Sequence, residues 1–464
     1  MNPFYGTITV TGGLVSVASE ASLGVTTGLI LNGGGLQITG TSFTQWNANR
    51  LLQLTGASTI DIASQSNVFT VAAPTTVGAA GTLTKTGAGT LRFNSLNMNS
   101  RTLNVSGGVF AIGAGDAVTM GATGVVNVNN AALVQNGGVL TANTGDNDYF
   151  NLGTTAGGYG YYSLANGAVT GTRLNVGFGT GAYGVWDLLS GGTATLNTYL
   201  IGGRNTGATG AYNIAGGTLN YTGAVNRAGT WGTGRTEFNV GLDAGSGNVG
   251  GTLNLNTANF SFMSSGDGVS ILNLLSSGTL RASQANNITA PTAGGAVMNF
   301  SGGMFVNTNT AAQTQFISSA NSLQAYVYSG GAFLDDNGQP ITVTANLLAP
   351  PGSGVASIPV TAGGSGYIGS PYVQITGSGG GLYATGYAVV QNGSITAIRI
   401  TNPGINYPAN ATVTLIGGTT ANTIPATLGT PVIAPNVSGG LTKLGNSTLT
   451  LTGMNTYSGT TTVA

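Results

Sequence analysis

The reading of the fold rests on two matching stretches, Gly81-Thr-Leu-Thr-Lys85-Thr-Gly-Ala-Gly-Thr-Leu91-Arg-Phe93 and Gly439-Gly-Leu-Thr-Lys443-Leu-Gly-Asn-Ser-Thr-Leu449-Thr-Leu451. Each reads as a short strand, a glycine-bearing turn and a second short strand, with apolar residues alternating along both arms. A looser family lies between about 150 and 260. Tyr162-Ser-Leu-Ala-Asn-Gly167, Trp186-Asp-Leu-Leu-Ser-Gly191 and Tyr212-Asn-Ile-Ala-Gly216 begin 24 and 26 residues apart. Leu174-Asn-Val-Gly177, Tyr199-Leu-Ile-Gly202 and Phe238-Asn-Val-Gly241 fall between them, the last displaced by an insertion holding Trp231. A period of about 25 residues with three strand-like runs fits one coil of a three-sided solenoid.

Such a coil is too short to close a core alone. Stacking at about 4.8 Å pairs every strand with the coil above and below, and inward residues line up as apolar columns. Gly and Asn suit the corners, where positive φ is needed at low steric cost. Helix signals are nearly absent, because Gly and β-branched residues interrupt almost every window. The expected fold is all-β, a right-handed parallel β-helix. Roughly 370 solenoid residues give about 15 coils and a rod on the order of 70 Å long.

The period is lost from Ala349-Pro350-Pro351-Gly352 and returns near Val437, and the prolines concentrate in this stretch. It has its own pseudo-repeat, Val360 to Ile375 and Ile400 to Leu415, and an Asn392-Gly393 hairpin signal. The expected organisation is a β-helix over 1–348, an inserted small β domain over 349–436, and a last coil over 437–464. The two ends also match. Met1-Asn-Pro-Phe-Tyr-Gly-Thr-Ile-Thr-Val10-Thr and Met454-Asn-Thr-Tyr-Ser-Gly-Thr-Thr-Thr-Val463-Ala share six of eleven positions. The chain stops at the phase of the repeat where it starts. The match is read as a unit of a longer tandem array, as end-to-end self-association through an open head-to-tail contact, or as one motif family falling at both ends by chance.

Composition excludes several functions. Of 464 residues, 81 are Gly, only 5% are charged and the net charge is zero. Two lysines and nine scattered arginines make no phosphate-binding face, so no nucleic-acid partner is expected. No Cys and no His occur, which removes Cys/His zinc sites and histidine general-base catalysis. No signal peptide and no apolar run long enough to span a membrane is read in the sequence, so an export signal is expected to lie outside it.

The motif from Leu441 through Lys443, Leu451, Gly453, Asn455, Tyr457 and Gly459 to Val463 resembles the autotransporter-associated β-strand repeat, also called the passenger-associated transport repeat. The stretch from Gly6 to about Phe93 and Gly330-Gly-Ala-Phe-Leu-Asp335-Asp336-Asn337-Gly338 resemble the same family. The resemblance implies an exported parallel β-helix stalk at, or shed from, the cell surface. It names a scaffold and not a chemistry.

No catalytic, cofactor-binding or metal residue is selected, and no enzyme activity is expected. Glycoside hydrolysis needs two carboxyls about 5 to 10 Å apart, and coil stacking offers Asp187 with Glu237 or Asp243, although nothing in the sequence singles them out. Asp146-Asn-Asp148 and Asp335-Asp-Asn337-Gly338 offer hard oxygens of the kind calcium takes, but Asx turns at corners account for them more simply. Among the central aromatics Tyr159, Tyr161, Tyr162, Tyr183, Trp186, Tyr199, Tyr212, Tyr221 and Trp231, the even spacing favours a stacked ladder over a sugar platform. Tyr367, Tyr372, Tyr383, Tyr387 and Tyr407 of the inserted domain are less regular. A domain projecting from a rod is a natural place for recognition, so these five are the candidate ligand-facing residues. The expected function is an extracellular fibre or stalk. The alternatives are a glycan-binding adhesin and a polysaccharide-degrading enzyme.

Overall fold

The computed structural model describes residues 5–142, 145, 150–223, 228–230, 233–264, 268–287 and 294–464. The Asp146-Asn-Asp148 pair, Trp231 and Met1–Phe4 of the N-terminal match lie outside the described residues. The chain is an all-β parallel solenoid of about 13 turns. One face is a parallel sheet of 13 strands, from Gln45–Trp46 to Leu347–Leu348, in which each strand pairs with that of the next coil. A second extended sheet covers most of the remaining surface. Long strands such as Ala168–Val176 and Thr193–Gly202 bend round a corner and pair on both sides of it.

The alternation read from sequence sets which side chains enter. In Thr82–Thr86 the leucine and lysine are buried and the three threonines half-exposed. The inward residues form one continuous core from Val10 to Leu441. Within it the central aromatics stack coil on coil. Tyr162 lies 5.9 Å from Trp186 with rings nearly parallel, Trp186 meets Tyr212 at 5.5 Å, and Tyr212 meets Phe238 at 4.5 Å. Tyr162, Trp186 and Tyr212 therefore form the ladder that their spacing suggested.

The rod has fewer turns than an even 25-residue period gives, because its coils are unequal. Hydrogen-bonded asparagines on stacked strands are separated by 24 residues at Asn151 and Asn175, but by 34 at Asn239 and Asn273. The extra residues lengthen corners and add no turns.

After Leu347–Leu348 the chain leaves the solenoid, and it rejoins at Leu441–Leu444, which pairs in parallel with Ala332–Asp335. The intervening segment makes antiparallel pairs, Ser353–Ser357 with Val432–Pro435 and Val360–Ala362 with Thr427–Leu428. It also makes a four-stranded antiparallel sheet ordered Ser394–Asn402, Thr385–Gln391, Tyr372–Thr376, Thr412–Ile416. Asn392 and Gly393 both have positive φ, 51° and 73°, as a tight hairpin turn of this type demands.

This domain does not project. It folds back along the outer face of the 13-stranded sheet, where three separate clusters join it to the rod. The reason lies in the outward positions of the central coils. They carry Tyr159, Tyr161, Val185, Ala211, Tyr326 and Tyr328, all buried, a surface that bare rod would expose to water.

Candidate functional site

Beneath the inserted domain, the outward face of the sheet carries a column of polar side chains. Trp186-Asp187-Leu188, Tyr212-Asn213-Ile214, Phe238-Asn239-Val240, Leu272-Asn273-Leu274 and Met298-Asn299-Phe300 occupy matching places on successive strands. The flanking residues point inward, and the middle residue points out. Each asparagine Nδ2 donates to the residue one coil earlier. Asn299 donates to Asn273 at 2.8 Å, Asn273 to Asn239 at 2.7 Å, Asn239 to Asn213 at 2.8 Å, and Asn213 to Asp187 at 2.8 Å. The chain of amides ends on a carboxylate, an arrangement in which each bond polarises the next.

The Asp187 carboxylate is fully buried. Its other oxygen accepts from Tyr161 Oη at 2.7 Å, Tyr387 Oη at 2.9 Å and Ser370 Oγ at 3.0 Å. Burial pushes its pKa up, and the bonds from Asn213, Tyr161, Tyr387 and Ser370 oppose that rise. Burial likewise pushes the Tyr161 and Tyr387 phenols well up, with Asp187 adding to the effect. Two coils on, Glu237 is also buried and accepts from Tyr372 Oη at 2.7 Å and from Arg235 Nε at 2.5 Å. Arg235 in turn donates to the Ala384 carbonyl.

Asp187 and Glu237, which coil stacking offered as one possible acid pair, thus share one sheet face. Each is held from both sides, Asp187 by Tyr161 and Asn213 of the rod and Ser370 and Tyr387 of the inserted domain, Glu237 by Arg235 of the rod and Tyr372 of the inserted domain, and both carboxylates are buried. The geometry anchors the inserted domain to the rod. Asp243 stands apart on the surface, 3.5 Å from Arg399.

The five tyrosines expected to face a ligand require correction. Tyr372 and Tyr387 turn their hydroxyls toward the rod, onto Glu237 and Asp187. Tyr367 and Tyr407 are buried in the domain's own core, where their hydroxyls meet the Ala426 and Ala384 amides. Tyr383 is half-buried against the cluster of Val297, Tyr326 and Tyr328. Tyr372, Tyr383 and Tyr387 thus lie on the face that the domain lays against the rod, and Tyr367 and Tyr407 fill its interior. The Asp335-Asp336 candidate is an Asx-turn corner. Asp335 accepts from Asn337 N at 2.8 Å, Asp336 accepts from the Gly338 and Ser447 amides, and Lys443 is ion-paired to Asp336. Among the described residues, no group of three or more acidic side chains could hold a metal ion.

That Lys443 corner has a twin. Lys85 is fully buried, and its Nζ donates to the carbonyls of Thr86, Gly87 and Gly107 at 2.7 to 2.9 Å. Lys443 donates similarly to the Gly445 carbonyl. In both, an inward lysine at the end of the first arm caps the turn carbonyls. Sequence comparison matches the passenger-associated-transport-repeat at residues 83–112 and 441–464, one span around each lysine.

The chain carries passenger-associated transport repeats.

The repeat family implies an exported or cell-surface protein, and repeat and solenoid together fit a passenger-like stalk. No curated protein and no solved structure matches the chain. The asparagine column was missed in the sequence, although its signal is plain afterwards. It is the recurring triplet of apolar residue, Asn or Asp, apolar residue, once per coil.

Proposed function

We propose that the chain is a structural stalk of an exported passenger, a stiff rod that holds other parts away from the cell surface and performs no catalytic step. The observation that carries this reading is the single core running unbroken from Val10 to Leu441 inside stacked parallel coils. At about 4.8 Å per turn it makes a rod about 60 Å long. Electron microscopy and binding assays against a polysaccharide panel test it. Uniform rods with no saturable binding are expected. Saturable binding lost on a single surface substitution, or turnover of a polysaccharide, would defeat it.

End-to-end self-association is the second part of the proposal. Strand Tyr5–Val10 pairs with Val25–Leu31, and Thr461–Val463 pairs with Leu441–Leu444, so their free edges face opposite ways along the rod. These strands belong to the two matching sequence stretches. Sedimentation at rising concentration should show chains of rods, and strictly single rods at high concentration would remove the idea.

An adhesin remains the alternative, and one observation favours it. On the inserted domain an open cleft of about 810 Å3 runs beside the edge strand Thr412–Ile416, lined by Asn410, Thr412, Thr414, Thr427 and Pro431 among others. If this cleft holds a glycan, Thr414→Arg abolishes binding on a glycan panel and leaves the rod intact.

A further inference from the structure

We propose that the inserted domain is a strap, which makes the coils beneath it open as one block while coils beyond it fray singly. The inference concerns the rod itself and does not depend on the stalk reading.

Three observations carry it. The first is the spread of the attachments. From the N-terminal side they begin with Gln65 Nε2 donating to the Gly366 carbonyl at 3.0 Å. They continue with Tyr159 Oη donating to the Ser370 carbonyl, Ser370 Oγ donating to Asp187, Tyr372 Oη donating to Glu237, and Gln391 Nε2 donating to Ser246 Oγ at 2.9 Å. They end with Asn273 Nδ2 on Thr385 Oγ1 at 3.0 Å and Tyr328 Oη on the Gly404 carbonyl at 3.3 Å. The strap therefore grips strands along most of the 13-stranded sheet. The second is direction. Hydrogen bonds between coils run along the rod, so a bare solenoid loses its end coil by breaking one row at a time. A strap bonded to successive coils adds restraints that fail only when several coils part together.

The third is topology. The strap leaves the rod at its last wide-sheet strand, Leu347–Leu348, and its far loop reaches back to Gln65. Root and tip sit at opposite ends of the covered block. At the strap's tip, beside the Gln65 contact, the cover thins, and Val68 there is 52% exposed. Inside the block the outward residues are buried.

Hydrogen exchange of the full chain in native buffer tests the proposal. In the wild type, strands Tyr159–Ala165, Tyr183–Leu189, Thr209–Ala215 and Arg235–Val240 should exchange with one common rate, slower than Val25–Leu31 outside the block. The double variant Tyr372→Phe, Tyr387→Phe keeps both rings and removes two hydroxyls from the carboxylates. It should raise the rate of all four strands together by about tenfold or more, with Val25–Leu31 unchanged. Replacement of 350–436 by a short Gly-Ser link should split the common rate into a gradient from the rod ends inward. Should that replacement fail to fold, the double variant still decides. Four unrelated rates in the wild type would overturn the strap. So would an effect of the double variant confined to peptides that touch the lost hydroxyls.

Discussion

Replacing Asp187 by alanine removes the acceptor on which four donors converge, and its cost can be worked out donor by donor. Ser370 Oγ and Tyr387 Oη lie 3.1 Å apart and retain each other. Tyr161 Oη and Asn213 Nδ2 have no substitute among the bonds that surround them. Each orphaned buried donor costs roughly 1–3 kcal/mol. Against that, the variant no longer buries an anion whose raised pKa shows that it is held against its preference. The net expectation is a loss of about 3 kcal/mol. Asp187→Asn should behave differently. Its amide oxygen keeps the bond from Asn213, its Nδ2 donates to the neighbouring hydroxyls, and those hydroxyls rotate to accept. That variant should lie within about 1 kcal/mol of the wild type. Urea unfolding followed by near-ultraviolet circular dichroism reads both, because Tyr162, Trp186 and Tyr212 form a fixed aromatic stack beside the site. An alanine variant as stable as the wild type would refute the reasoning. An asparagine variant as damaged as the alanine one would also refute it, by showing that charge and not acceptor geometry holds the junction.

Three further expectations concern pH and the corners. Burial holds the phenols of Tyr159, Tyr161, Tyr162, Tyr212, Tyr372 and Tyr387 well above their ordinary pKa. Their contribution is intact below about pH 10 and is lost as pH rises past it, because only the unfolded chain ionises there. Absorbance near 295 nm should show most tyrosines ionising late and together with unfolding, and early independent titration would contradict this. Burial lowers Lys85 to about 7, partly offset by Asp61. The unfolded chain then binds more protons than the folded one between that value and the ordinary lysine pKa, so stability rises with pH across the window. From pH 7 to 9 the gain should be ~2 kcal/mol, absent in Lys85→Gln, as exchange rates in Thr82–Thr86 would report. Finally, Gly177 has φ +77°, and a Cβ there would stand 2.1 Å from the Thr209 carbonyl oxygen. Gly177→Ala should cost more than about 2 kcal/mol by thermal unfolding.

Much of the rod was legible because its rules are local. The alternation in Thr82–Thr86, the glycine turn at Gly87 and the aromatic spacing of Tyr162, Trp186 and Tyr212 each refer to neighbours one coil away. The coil count ran high because corner length, as between Asn239 and Asn273, is invisible to an averaged period. The junction was not legible for another reason. Whether Tyr387 meets a ligand, a core or Asp187 depends on how a domain inserted 160 residues after Asp187 lies on the sheet, and no pattern in either segment encodes that orientation. Asp187 and Tyr372 were both legible as candidates in the sequence, for roles other than the junction they form.

The asparagine column has a syntax. Every asparagine rung donates a hydrogen bond to the rung before it, and all but the last accept one from the rung after, the Asn299 oxygen closing the series without a partner. An aspartate can give no proton, so it fits only on the first rung, where Asp187 stands. Anyone lengthening this rod by copying coils would have to copy asparagine onward and leave the acid behind, since a second acid midway would set oxygen against oxygen.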